Sequence, residues 1–258
     1  MKAVRRLTVI VLSTISVCYL AACAILYFAQ GSLLYHPTNE TAVPASAKIS
    51  LENDGETLRI LVRPADGPKA LIYFGGNADD VSFNLYGFAE SIPNTNLYLV
   101  NYRGYGGSTG SPSEQALYSD ALAVYDFVRT KHASISILGR SLGSAVATYL
   151  AANREIEKLV LVTPFDSIES VAKHQFPIFP VSLLLIDKFD SASRVKEVRA
   201  STLILIAQND SVVPRRNSES LIAHFPSNQI VVREFPGTSH DSIGVSSEAR
   251  NAIASFLE

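Results

Sequence analysis

Ile135-Ser136-Ile137-Leu138-Gly139-Arg140-Ser141-Leu142-Gly143-Ser144 passes from an apolar, strand-like run through a turn into a small-residue helical run beginning at Ser144. A serine held on a sharp strand-to-helix turn has crowded backbone neighbours. The flanking positions must therefore lack bulky side chains, and Gly139 and Gly143 meet that need. Such a turn projects the Ser141 hydroxyl above the end of a sheet. At roughly 7% glycine and about as much serine, the bare pattern arises by chance about 0.1 times in a chain of this length. Its weight comes from where it lies and what accompanies it.

Outward from this turn, short apolar runs alternate with helical stretches. Ala70 to Phe74, Leu97 to Asn101, Ile135 to Leu138, Leu159 to Thr163, Leu203 to Ala207 and Ile230 to Phe235 suit strands buried on both faces. Ala47 to Leu51 and Leu58 to Val62 alternate with period two around Asn53-Asp54-Gly55, which predicts an antiparallel opening hairpin. Helices are expected near Val81 to Glu90, Ser113 to Thr130, Ser144 to Ala152, from Ser167 onward, and over Asn217 to His224 and Ser246 to Phe256. The plan is a mostly parallel, doubly wound α/β sheet covered on both sides. In such sheets ligands bind at the carboxyl ends of the strands, so the residues following each apolar run carry the functional argument.

Three of those loops hold Ser141, then Asp210 in Gln208-Asn209-Asp210-Ser211-Val212-Val213-Pro214, then His240 in Gly237-Thr238-Ser239-His240. A neutral hydroxyl is a poor nucleophile until an imidazole takes its proton. A carboxylate in turn fixes the imidazole tautomer and stabilises its cation. Each residue also has a plainer reading: helix N-cap for Ser141, turn residue for Asp210, surface histidine for His240. Asp166 is the rival acid, while Asp241 is too close in sequence to His240 to orient its ring easily. His36, His132, His174 and His224 fit a structural or solvated role.

Acyl transfer also needs donors aimed at a developing oxyanion. The backbone amide of Leu142 is one candidate, and Phe74-Gly75-Gly76-Asn77-Ala78 supplies the second, with Asn77 favoured over Gly76. The glycine-rich run Tyr102 to Gly110 fits neither a P-loop nor a dinucleotide fingerprint. No HExxH or cysteine-histidine cluster is present, so neither a metal nor another cofactor is expected.

The chain has 258 residues, 47% of them hydrophobic, enough for one sizeable core. Its 22 basic and 24 acidic residues give a formal charge of -2 with no basic cluster beyond the N-terminus, so nucleic acid is not an expected partner. Leu7 to Phe28 is a 22-residue stretch without charge, preceded by Lys2, Arg5 and Arg6. About 20 apolar residues cross a bilayer core, and positive flanks stay cytoplasmic. The favoured reading is a single-pass anchor over residues 1–36 that places a catalytic domain, residues 37–258, in the periplasm or outside the cell. Leu20-Ala21-Ala22-Cys23 also resembles a lipoprotein signal, and a buried helix of a soluble domain is a third reading. Cys18 and Cys23 both lie in this stretch, so the rest of the chain holds no cysteine nucleophile and no disulfide.

Tyr73 to Ala78, Asn101 to Gly106 with Ser108, Pro112-Ser113-Glu114, the Ser141 turn, Asp210 to Pro214 and Ser239-His240 together resemble the single-pass α/β-hydrolase-domain serine hydrolases. Their relatives include protein depalmitoylases and lysophospholipid lipases. The resemblance runs from about Leu33 to the C-terminus. It implies the α/β-hydrolase fold, with nucleophile, acid and base mapping onto Ser141, Asp210 and His240. Gly75 departs from the pattern, because relatives often carry histidine there. Only Pro164 to Ala200, 37 residues, is available for a cap, so a minimal cap and an open site are expected. Phe176-Pro177-Ile178-Phe179-Pro180 and Val181 to Ile186 could hold an acyl chain or form a helix packed on the sheet. The expected activity is hydrolysis of carboxylic esters or thioesters of moderate or long acyl chain at a membrane. A serine aminopeptidase or small-peptide hydrolase, and a noncatalytic membrane-attached hydrolase-fold binding protein, are the alternatives.

Overall fold

The computed structural model describes residues 1–258, apart from the side chain of Ser46. Strands β1 (Lys48–Asn53) and β2 (Glu56–Arg63) form the predicted hairpin. Asp54 and Gly55 between them both have positive φ, 50° and 80°, as a two-residue turn matched to strand twist requires. Six further strands complete an eight-stranded sheet: β3 (Lys69–Phe74), β4 (Asn96–Val100), β5 (Ser134–Arg140), β6 (Lys158–Val162), β7 (Ser201–Ala207) and β8 (Ile230–Phe235). The order is β1-β2-β4-β3-β5-β6-β7-β8, antiparallel at β1-β2 and β2-β4 and parallel elsewhere. This is the α/β-hydrolase architecture.

Side chains of the central strands divide between two cores by simple alternation. Ala70, Ile72 and Phe74 of β3 point to one side, where helices α3 (Glu114–Arg129) and α4 (Leu142–Asn153) pack. Leu71 and Tyr73 point to the other, against α2 (Ser82–Ser91) and α9 (Ser247–Leu257). A strand buried on both faces has no need of polar residues on either, which is why these runs read as continuously apolar. β8 departs from that expectation. It is the sheet edge, and Val231 and Val232 remain 47% and 42% exposed.

The remaining helices are α1 (Lys2–Leu34), α5 (Ile168–Gln175), α6 (Val181–Leu184), α7 (Arg215–Ile222) and α8 (Ser242–Val245). Helix α4 begins at Leu142, two residues before the expected start. Ser113 and Ser246 cap α3 and α9 by accepting hydrogen bonds from Ala116 and Ala249. The register pairs Phe74 with Gly139, Arg140 with Val162, and Ala207 with Phe235. The loops after β3, β5, β7 and β8 therefore emerge along one edge of the sheet.

Candidate active site

Ser141 has φ 50° and ψ -119°, a backbone conformation that an L-residue adopts only at a cost and that its surroundings must enforce. Its amide donates to the Val162 carbonyl at the end of β6. The flanking glycines are required by close backbone approach. A Cβ on Gly139 would lie 2.2 Å from the Gly143 carbonyl oxygen, and one on Gly143 would lie 2.1 Å from the Phe74 carbonyl oxygen. Any side chain at either position would force the helix away from the strands.

The structure brings together the three predicted residues. Ser141 Oγ lies 2.9 Å from His240 Nε2, and His240 Nδ1 lies 2.8 Å from Asp210 Oδ2. A carboxylate only accepts, so Nδ1 carries the ring proton and Nε2 is left to accept the serine hydroxyl proton. Ser141 and His240 are each only 7% exposed. The other carboxylate oxygen, Asp210 Oδ1, accepts the amides of Val212 and Val213. Asp210 thus serves both as a turn residue and as the partner of the histidine, one oxygen for each. The amide of Asn209 donates to the Thr238 carbonyl and ties the acid loop to the histidine loop.

The competing groups are elsewhere. Asp166 Oδ1 accepts from the Ser167 amide and from Asn217 Nδ2, which fastens it to α7. The Asp241 side chain is 90% exposed and pairs with Arg140. His132 Nε2 hydrogen-bonds with the Tyr98 hydroxyl, and His224 Nδ1 with the Ser220 carbonyl.

Leu142 is the first residue of α4, so its N–H has no acceptor within the helix. Gly76 lies against Ser141, and its carbonyl accepts the Asp79 amide. In a trans peptide this turns the Asn77 N–H the opposite way. Asn77, Ser141 and Leu142 line one cavity. The loop is held from behind by Tyr102, whose hydroxyl donates to the Gly75 carbonyl, and by Tyr105, whose hydroxyl donates to the Asn77 carbonyl. Burial holds the Tyr102 hydroxyl well above its ordinary pKa and pushes Tyr105 up to about 12, so both remain neutral donors. At Gly75 a Cβ would meet Asp79 at 2.9 Å, so the position tolerates little more than hydrogen.

Sequence reasoning missed four contributors. Arg140, the middle residue of Gly-x-Ser, donates to the His240 carbonyl at 3.1 Å and reaches Asp241 at 3.0 Å and Asp79 at 3.7 Å. It joins the histidine loop to the glycine loop, and a cation inside the turn was its only signal. Tyr102 and Tyr105 lie within a motif that carries the family resemblance, but nothing in it singles out their hydroxyls as supports of the glycine loop. The largest omission is α1, whose last turns line the cavity through Leu26, Gln30, Leu33 and Leu34. The Asn77 side chain donates to the Leu34 carbonyl, and the His36 amide donates to the Asn77 carbonyl. These contacts cross the boundary expected at residue 36.

The cavity has a volume of about 330 Å³ and is walled by α1, α5, α6 and the Val212-Val213 turn, with no charged side chain among its lining residues. α6 is four residues long and packs against α5 and α1, not as a helix laid on the sheet. No group of His, Cys, Asp and Glu residues suited to a metal occurs among the described residues. The arrangement can activate a hydroxyl, receive a developing oxyanion and shelter an apolar chain.

Residues 90–240 match the serine hydrolase (FSH1) family. A protein of Mycobacterium tuberculosis (strain ATCC 25618 / H37Rv), itself uncharacterized, is 35% identical over 222 residues, spanning 80% of this chain and 76% of its own. The lysophosphatidylserine lipase ABHD12 of Gallus gallus is 35% identical over 168 residues, spanning 56% of this chain and 44% of that protein. Among solved structures, the Pyrococcus furiosus esterase Pf2001 superimposes with a TM-score of 0.70 at 14% identity, covering 86% of this chain and 97% of that one. That likeness speaks for the fold alone. The chain belongs to the serine hydrolase family.

Proposed function

We propose that this serine hydrolase cleaves carboxylic esters or thioesters of moderate or long acyl chains at a membrane surface, through an acyl intermediate on Ser141. The observation that carries the reading is the hydrogen-bonded series Ser141, His240, Asp210 opening onto an uncharged, apolar cavity. In the first half-reaction, Ser141 Oγ attacks the substrate carbonyl while His240 Nε2 takes its proton. Asp210 stabilises the resulting imidazolium. The amides of Leu142 and Asn77 receive the oxyanion, and collapse expels the alcohol or thiol, which takes the proton from Nε2. Water, deprotonated by the same nitrogen, then releases the acid and restores Ser141.

A membrane setting is supported by α1, which is long and apolar enough to cross a bilayer, and by Lys2, Arg5 and Arg6 at its start. Those cations favour a cytoplasmic N-terminus with residues 37–258 on the opposite side. Relatedness to a lysophosphatidylserine lipase agrees with an acyl-lipid substrate. An aminopeptidase would need an acidic group to hold the substrate amine. Asp187 is instead hydrogen-bonded to the Tyr35 hydroxyl and Asp190 to the Ser193 amide, and neither lines the cavity.

Mixing the full-length protein with p-nitrophenyl esters of increasing chain length tests the proposal. The expected result is turnover that rises with chain length and, after rapid quenching, acyl mass on the peptide containing Ser141. Turnover without acyl mass at Ser141, or a folded protein with no turnover on any ester or thioester, would contradict it.

A further inference from the structure

The cap segment and the apolar helix are stitched together over a long distance. The Tyr19 ring stacks on Phe179 at 5.7 Å, and its hydroxyl donates to the Ile178 carbonyl at 2.8 Å. Further along, Gln30 Nε2 donates to the Leu184 carbonyl, and Gln30 Oε1 accepts the Ile186 amide at 2.7 Å. From Tyr19 to Gln30 the helix rises about 17 Å.

That distance fixes where the cap lies if α1 crosses a bilayer. The uncharged stretch starts at Leu7, and Leu7 to Cys18 rises only about 17 Å, against a hydrocarbon core of about 30 Å. Tyr19 must then be inside the hydrocarbon, and whatever is docked on Tyr19 is there as well. Phe176 to Ile186 suits that environment. It contains no charged residue, yet Ile178, Leu183 and Ile186 are 71%, 83% and 61% exposed in water. Exposure of that kind, contiguous with an apolar helix, marks a surface covered by something apolar.

The backbone fits as well. Hydrocarbon offers no hydrogen bonds, so irregular chain survives there only where its polar groups are satisfied internally. The amides of Phe179, Leu183, Leu184 and Leu185 bond to carbonyls within the segment, and Pro177 and Pro180 have none. Tyr19 and Gln30 of α1 satisfy Ile178, Leu184 and Ile186.

We infer that the second half of α1 and Phe176 to Ile186 form one lobe embedded in the leaflet beside the catalytic residues. Through it the acyl chain of a bilayer lipid passes sideways into the cavity and reaches Ser141 without crossing water. The cavity walls nearest the lobe, Leu26, Leu33, Phe179 and Leu184, come from both of its parts. The inference rests on the ester or thioester hydrolase reading for its substrate, and on geometry alone for its depth.

The chain contains no tryptophan, so a single introduced indole reports its own surroundings. Full-length Leu183→Trp and, as control, Val231→Trp on the exposed edge strand would be placed in phosphatidylcholine vesicles carrying bromine at defined acyl depths. Leu183→Trp is expected to lose more than half its emission to mid-chain bromine, and Val231→Trp almost none. Equal quenching of the two, or quenching of Leu183→Trp only by bromine near the headgroup, would overturn the embedded lobe. Leu183→Arg, which puts a charge on the outside of the lobe, is expected to slow hydrolysis of a vesicle-borne long-chain ester about tenfold. It should leave a water-soluble short-chain ester within twofold. An equal fall on both esters, or no fall on either, would overturn lateral entry. Failure of the hydrolase reading looks different: no ester is cleaved by the unsubstituted protein, whatever the quenching.

Discussion

The strand-end loops and the α1-cap lobe wall the same cavity by opposite means. Around Ser141 the structure depends on single atoms: two glycines where an added Cβ would lie only 2.2 Å and 2.1 Å from a carbonyl oxygen, and one carboxylate with each oxygen committed. In the lobe, specification is by area. Leu26, Leu33, Phe176, Phe179 and Leu184 offer apolar surface, and Tyr19 and Gln30 supply directed bonds to Phe176 to Ile186. Chemistry needs reacting atoms placed to within a fraction of an ångström, whereas holding an alkyl chain needs only dry surface of the right extent. The first region should therefore fail abruptly under substitution and the second by degrees.

The sharpest break is expected on the chemical side. Asp210→Asn keeps the shape but leaves His240 free to hold the wrong tautomer, and kcat on any ester should fall by about 10³ to 10⁴ with KM little changed. Steady-state kinetics on a short ester reads this directly. Gly143→Ala places a methyl group against the Phe74 carbonyl and should cost about 3 kcal/mol of stability together with most activity, visible in denaturant unfolding. A fully stable, active Gly143→Ala protein would show that the elbow is not as tightly specified as the contacts indicate.

Substitutions in the lobe should be gentler and depend on the substrate. Gln30→Leu preserves the apolar wall but removes two bonds to the cap, and kcat/KM for long-chain esters should fall several-fold while that for acetate esters stays nearly constant. Parallel losses on both substrates would place Gln30 with the chemistry instead. The smallest effect is expected at the base of the cap. Hydrogen bonds from Lys173, then Ser182 and Lys188, hold the Glu169 carboxyl down to about 2. Because its pKa is depressed in the folded protein, its contribution is complete above the ordinary carboxylate range and disappears as pH falls through about 2. For a partly exposed group this amounts to less than about 1 kcal/mol. A Glu169→Gln protein should show a correspondingly weaker loss of thermal stability between neutral and acid pH.

Much of the sheet was legible because buried strands leave an unambiguous apolar signature and their loops carry glycine. The predicted Ser141, Asp210 and His240 come together because all three follow strands that end on one edge. β8 was misjudged as buried on both faces although Arg233 and Glu234 within it are residues an exposed edge strand carries. The role of Arg140 was invisible because its partners, Asp79, the His240 carbonyl and Asp241, are far apart in sequence. α1 was legible as a helix long and apolar enough to cross a membrane, and that reading concealed its part in the cavity. Hydropathy describes what a helix can be dissolved in, and only packing shows that Leu26, Leu33 and Leu34 also wall a cavity.

The most direct test of the central claim is labelling of the full-length protein in membranes with a fluorophosphonate, comparing the unsubstituted chain with Ser141→Ala. The probe reports an activated serine without requiring the natural substrate. Labelling that vanishes with Ser141 is the predicted result. Labelling that persists in Ser141→Ala, or a folded unsubstituted protein that takes no label, would contradict the account.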